Sequence, residues 1–140
     1  IYNNISSGDA AVELLQNHDL VVNATADFAT TALLHVVAKS LGTRVLSAAL
    51  QNDGATYRID VLPPLDGATP HPPSALNAER FTAEMFEAGC GSPISPTPPY
   101  AVIEAAAATA RHALGLLTNS PLHPAGEVRT TATRPRGDQL

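Results

Sequence analysis

The sequence is poor in sulfur and aromatics: 140 residues hold one cysteine, Cys90, one methionine, Met85, and no tryptophan. A lone cysteine excludes an internal disulfide and any four-cysteine zinc site, so no zinc is expected and a reducing, cytoplasmic setting is. Basic residues are also scarce. Eight stand against thirteen acidic ones, a formal net charge of −5, and they form no run or stripe. Neither nucleic acid nor an anionic membrane surface is therefore an expected partner. No apolar stretch reaches the ~18 residues that cross a bilayer, and no signal peptide is visible. The chain opens on Ile1 rather than on methionine, and we expect a piece of a longer protein.

What the chain does have is 44% apolar residues, enough for the core of one domain, with alanine supplying much of that fraction. From Gly8 a helical pattern sets in, Ala11, Val12, Leu14 and Leu15 sharing one side, with Ser7 or Asp9 as N-cap and Asn17-His18 as its end. Asp19–Thr25 follows as a short apolar strand without alternation, the pattern of a strand buried on both faces. A second helix spans Asp27–Leu41, with Phe28, Ala32, Leu33, Val36, Val37 and Leu41 expected inward and Gly42 as its C-terminal cap. Strands at Arg44–Leu50 and Thr56–Leu62 flank an Asp53-Gly54 turn signal, as in a hairpin. This order points to an α/β sheet in three layers.

Nine of the twelve prolines then fall between Pro63 and Pro99. Residues 63–99 read as a long crossing loop, neither sheet nor continuous helix, broken by a short helix near Ala78–Glu87. An alanine-rich helix runs from Pro99-Tyr100 to Leu117. Its expected inward stripe is Val102, Ile103, Ala106, Ala107, Ala110, Ala113, Leu114 and Leu117. Residues 119–140 read as a tail with one strand near Glu127–Thr133.

Four groups of residues bear on chemistry. Asn23-Ala24-Thr25-Ala26-Asp27 places small and polar residues at the carboxyl end of a buried strand, directly before a helix. Ligands of open α/β sheets bind at that edge, helix N-termini favour phosphate or carboxylate, and Asp27 is positioned to hold a magnesium ion on nucleotide phosphates. The plainer reading is that Thr25 or Asp27 caps the helix. Cys90 lies between Gly89 and Gly91, accessible as a nucleophile if its pKa is depressed, and otherwise a small buried residue. The five histidines, His18, His35, His71, His112 and His123, have no metal-ligand spacing, and His35 and His112 fall on helices as interface or surface residues. Arg58 and Asp60 share one face of a strand, by default as a solvated ion pair.

Ser7-Gly8-Asp9-Ala10-Ala11-Val12-Glu13-Leu14-Leu15, followed by Asp19-Leu20-Val21-Val22-Asn23-Ala24-Thr25-Ala26-Asp27-Phe28, resembles the second half of the ThiF/MoeB/HesA family. These are the activating enzymes of ubiquitin-like proteins, whose motif here reads approximately D-L-V-V-D-x-T-D-N-F. The likeness continues through Leu41-Gly42-Thr43-Arg44-Val45-Leu46 and resumes at Cys90 and the alanine-rich helix, spanning most of Ser7–Leu117. The resemblance implies a three-layer, Rossmann-like α/β fold, with residues 1–118 as the carboxyl-terminal half of such a domain.

It further implies adenylation of the C-terminus of a ubiquitin-like or sulfur-carrier protein with ATP and magnesium, and a homodimer. Asn23, Thr25, Ala26 and Asp27 would line the nucleotide site, Asp27 would hold the metal, and Cys90 would take the place of the loop thiol that accepts the acyl group. The sequence departs from the pattern in three ways. Ala26 aligns with the family's metal-binding aspartate and displaces Asp27 by one residue, Asn23 replaces the first motif aspartate, and paired Cys-x-x-Cys zinc motifs are absent. They imply a divergent branch or a non-catalytic, partner-binding scaffold. The family's Gly-rich loop and ATP-binding arginines and lysine are also missing, so the chain alone is not expected to form an acyl-adenylate. A competing reading is a fragment of an NAD(P)-binding Rossmann oxidoreductase, whose strands also end in Val-Val-Asn-Ala-Thr.

Overall fold

Ser7 is the residue that starts the first helix: its Oγ accepts the Ala10 backbone N–H at 3.3 Å, and α1 spans Gly8–Gln16. The computed structural model describes residues 5–72, 86–88, 92–94 and 97–131. After α1 come β1 (Val21–Asn23), α2 (Phe28–Leu41), β2 (Val45–Gln51) and β3 (Thr56–Leu62). A short ladder of β4 (Phe86–Ala88) and β5 (Ser92–Ile94) precedes α3 (Pro99–Leu117) and β6 (Gly126–Thr130). Gly42 ends α2 with φ 67°, a left-handed geometry that costs a side chain nothing only at glycine, and Thr43 N–H closes back on the Ala38 carbonyl at 3.0 Å.

The main sheet has the order β1-β2-β3-β6. Only β1 and β2 are parallel, joined through α2; β3 is antiparallel to β2, and β6 to β3. The expected hairpin is present, its turn closed by Gly54 N–H on the Gln51 carbonyl at 3.1 Å. The strand expected in the tail is β6, the fourth member of this sheet, and residues 132–140 lie outside the described residues.

The chain is thus α/β, with helices on both faces of a mixed sheet. On one face α1 and α2 pack Ala11, Leu15, Leu34, Val37 and Ala38 against Val45. On the other, α3 sets Ala105 and Ala108 against Leu46, Tyr57, Ile59 and Val61. Adjacent residues of β2 thus serve opposite cores, as strand alternation requires.

Several expectations are corrected. β1 is an edge strand and is not buried on both faces: α3 lies over β2 and β3, leaving Val22 46% exposed. In α2 the buried ridge is Leu34, Val37 and Ala38, whereas Phe28 and Val36 are exposed. In α3 the buried residues are Ala101, Ala105, Ala108, His112 and Gly115, and Val102, Ile103, Leu114 and Leu117 face solvent. The sheet already supplies large side chains to that interface, so the helix approaches on its small-residue side. Within 63–99, Phe86 and Glu87 belong to a strand rather than to the expected helix, and 73–85 are outside the described residues. Pro93 is accommodated because each strand of a two-stranded ladder is an edge, where a missing N–H can face outward.

Candidate functional site

The end of β1 is built around Asn23, which is buried. Its Nδ2 donates to Thr31 Oγ1 at 2.8 Å and to Ser47 Oγ at 3.4 Å, tying the first turn of α2 to β2. Its Oδ1 accepts from Thr25 N–H at 3.2 Å and from Thr25 Oγ1 at 2.8 Å, which folds the chain over at once. Thr25 Oγ1 in turn accepts the Asp27 N–H at 3.2 Å. Ala26, at the apex, has φ 54°, a left-handed conformation that costs a residue with a Cβ about 1–2 kcal/mol.

Asp27, and not Thr25, caps α2. Its Oδ2 accepts both Thr30 N–H at 2.7 Å and Thr30 Oγ1 at 2.6 Å. Those two bonds hold the Asp27 carboxyl below the usual carboxylate range, so it is ionised at neutral pH. The positive end of the α2 dipole therefore already has a carboxylate upon it, and a phosphate arriving there needs an accompanying cation.

Beside this turn opens a cleft of about 420 Å³. α2 provides Phe28, Ala32 and His35 as one wall; β2 provides Ser47, Ala49 and Gln51 as the floor. Phe28 and Ala32, expected in the core, are thus cleft residues. The rim at Pro70–Pro72 is fastened by Arg58. Its guanidinium grips Asp60 with two bonds, Nε to Oδ2 at 2.5 Å and Nη2 to Oδ1 at 3.0 Å. It also donates to the carbonyls of Pro72 at 2.6 Å and His71 at 3.1 Å. The pair is not the solvated one expected: the side chains are only 15% and 12% exposed. His71 Nε2 is buried with no hydrogen-bond partner among the described residues, at a residue that lines the cleft.

Of the sequence-predicted site residues, Asn23, Thr25, Ala26 and Asp27 come together at one corner of this cleft, and Ala26 and Asp27 line it. Cys90 lies outside the described residues. No family model, curated protein or solved structure matches this chain. The site has to be read from its own chemistry.

A magnesium ion fits that chemistry in one way only. Asp60, the other carboxylate lining the cleft, is gripped by Arg58, and among the described residues no group of three or more His, Cys, Asp or Glu could hold a metal. Magnesium is commonly bound through one or two carboxylates plus substrate phosphates. The turn is thus suited to an ion that arrives on phosphates and unsuited to one caged by protein alone.

Sequence reasoning missed a second polar cluster, on the opposite face. His112, on the buried side of α3, places Nε2 3.0 Å from Glu127 Oε2, and Tyr57 donates its hydroxyl to Glu127 Oε1 at 2.8 Å. A carboxylate only accepts, so His112 carries its proton on Nε2. These bonds, that from His112 foremost, hold the Glu127 carboxyl below its ordinary range; burial, and then Glu127, push the Tyr57 hydroxyl up. No spacing signals this trio, because positions 57, 112 and 127 meet only through the β3–β6 register and the docking of α3. Gly126 sets that register. With φ 99°, a Cβ there would stand 2.0 Å from the Ile59 carbonyl oxygen.

Proposed function

We propose that this chain is the carboxyl-terminal half of a ThiF/MoeB/HesA-type activating domain, Rossmann-like in fold. It would act in the cytoplasm with ATP and magnesium on the C-terminus of a ubiquitin-like or sulfur-carrier protein. The observation that carries this reading is the cleft beside the Asn23–Asp27 turn, at the carboxyl ends of the parallel pair β1–β2. Open α/β sheets bind their ligands at that edge, and 420 Å³ is within the usual size of a small-molecule site. When bound, magnesium would neutralise phosphate charge beside the Asp27 carboxylate. The chain's own part is positional: Asn23 holds the turn, Thr30 keeps Asp27 ionised and aimed, and Arg58 holds the rim. On the same reading the thiolate of Cys90 attacks the acyl-adenylate carbonyl, forming a C–S bond as AMP leaves with the oxygen.

The test is carrier-dependent ATP–pyrophosphate exchange by the longer protein containing this segment. Asp27→Ala is expected to lower exchange at least ~10-fold, in line with loss of one electrostatic contact at a reacting centre. Cys90→Ser is expected to leave exchange intact while abolishing the thioester. The 140-residue chain alone is expected to show none, and exchange by it would overturn the reading. So would NAD(P)H binding by the longer protein without any ATP dependence. A partner-binding scaffold is the second reading, favoured by one observation: the polar atoms of Asn23 and Thr25 are engaged with each other, Asp27, Thr31 and Ser47. Partner binding by the longer protein with no exchange at all would select it.

A further inference from the structure

The chain contains two Asp-Gly pairs, Asp53-Gly54 and Asp66-Gly67, each followed by Ala-Thr. Aspartate before glycine is where a backbone most readily rearranges on itself, because glycine has no side chain to crowd its amide nitrogen. That nitrogen attacks the aspartate Cγ, a C–N bond forms and one carboxyl oxygen leaves as water, closing a succinimide ring. Water then reopens the ring. Opening at the side-chain carbonyl restores aspartate; opening at the backbone carbonyl leaves isoaspartate, with the chain running through the side chain. One water leaves and one returns, so the step needs no oxidant or cofactor.

The fold treats the two pairs differently. Both aspartates are exposed, and both take left-handed backbone with φ 53°. At the hairpin, Gly54 N–H is held by the Gln51 carbonyl at 3.1 Å and Ala55 N–H by the Asn52 carbonyl at 2.9 Å. The start of α3 lies against the same glycine: an added Cβ would stand 2.8 Å from Ala101 Cβ and 3.0 Å from Thr97 Cγ2. Attack by the Gly54 nitrogen therefore requires its hydrogen bond to break and the turn to part from the helix. Asp66 and Gly67 instead belong to a single 3₁₀ turn, Leu65–Gly67, anchored by Leu65 N–H on the Pro124 carbonyl at 2.8 Å. Both residues are exposed, and a Cβ at Gly67 would meet nothing within 4 Å. This pair can rotate in place without disturbing a strand or an α-helix.

We propose that Asp66-Gly67 is a site of spontaneous isoaspartate formation, and that the hairpin spares Asp53-Gly54. The product has one more backbone atom at position 66. That widens the turn closed by Ala68 N–H on the Leu65 carbonyl and lengthens the approach to the rim at Pro70–Pro72. The test is to age the 140-residue chain at neutral pH and physiological temperature, folded and in urea, and to read isoaspartate at each position by peptide mapping with electron-transfer fragmentation. In the folded chain, isoaspartate at 66 should exceed that at 53 at least ~10-fold, about the factor that one retained hydrogen bond supplies. In urea, where both pairs sit in the same local sequence, the ratio should approach one. Asp66→Glu should abolish the signal at 66, since the larger ring closes far more slowly, and leave that at 53 unchanged. Absence of isoaspartate at 66 in the folded chain, or as much at 53 as at 66, overturns the proposal. So does a preference for 66 that persists in urea, because the fold is then not its cause.

Discussion

The two faces of the sheet use the same two strands for opposite purposes. Toward α3, β2 and β3 present Leu46, Tyr57, Ile59 and Val61, and the helix closes on them with alanines and with His112, whose bond to Glu127 joins that of Tyr57. Toward α2, the same strands begin apolar at Val45 and then turn polar, with Ser47, Arg58 and Asp60. α2 seals the first part and stands off the rest, and the cleft is what remains between. Side-chain alternation thus lets one hairpin be the floor of a site and the centre of a core at once. The face with a ligand-sized opening is the one where charged groups are tied to each other and to the rim.

The comparison is broken most severely from the sealed side. Ile59 is fully buried, and Ile59→Ala leaves a cavity that the alanine face of α3 has no side chains to fill. A loss of about 2–5 kcal/mol is expected, read from urea unfolding. Because Ile59 faces away from the cleft, the surviving folded fraction should keep any ligand affinity unchanged.

On the open side the largest effect is expected at Arg58. Arg58→Met strands the Asp60 carboxylate at 12% exposure and releases the carbonyls of His71 and Pro72. About 2–3 kcal/mol should be lost, somewhat less than for a fully buried pair. Arg58→Lys should recover only part of this, since an ammonium cannot reproduce the forked grip. Arg58→Met/Asp60→Leu should recover most of it, since no uncompensated charge is left. Faster proteolysis near residues 70–72 in Arg58→Met than in Ile59→Ala, at matched stability, would show that the rim is held locally. Equal rates would show that the two faces fail together.

The sequence made some of this legible and not the rest. Gly42, the Asp53-Gly54 turn and Ser7 were readable because each acts through its own backbone within a few residues. The cap at Asp27 was readable for the same reason, as one of two candidates, whereas the strand expected to run to Thr25 ends at Asn23. The phases of α2 and α3 were not. Alanine-rich helices are apolar all round, so hydrophobicity alone does not say which side faces inward; the volume already occupied by Leu46, Tyr57 and Ile59 decides it. The burial of Arg58 with Asp60 depends on Pro70–Pro72 folding back over β3, and the His112 trio on pairing between β3 and β6. Both are contacts across long stretches of chain that no local pattern encodes.

The smallest expected effect discriminates most finely between the faces. Glu127→Gln keeps the shape of the half-buried trio but turns one of its two accepting oxygens into a donating amide, so either Tyr57 or His112 loses its partner. At pH 7 this should cost about 1–2 kcal/mol. The hydrogen bonds from His112 and Tyr57 and the nearby Arg111 charge hold the carboxyl below its ordinary value of 4.5. Its contribution to stability is therefore complete above that value and is lost as pH falls through the lower folded-state value. Urea midpoints of wild type and Glu127→Gln should accordingly differ at pH 7 and converge as pH drops below about 4.5. Convergence would mean that ionisation of Glu127 holds the trio. A gap that persists into acid would mean that geometry alone holds it, making the sealed face an apolar core with a polar inclusion rather than a charge-anchored one.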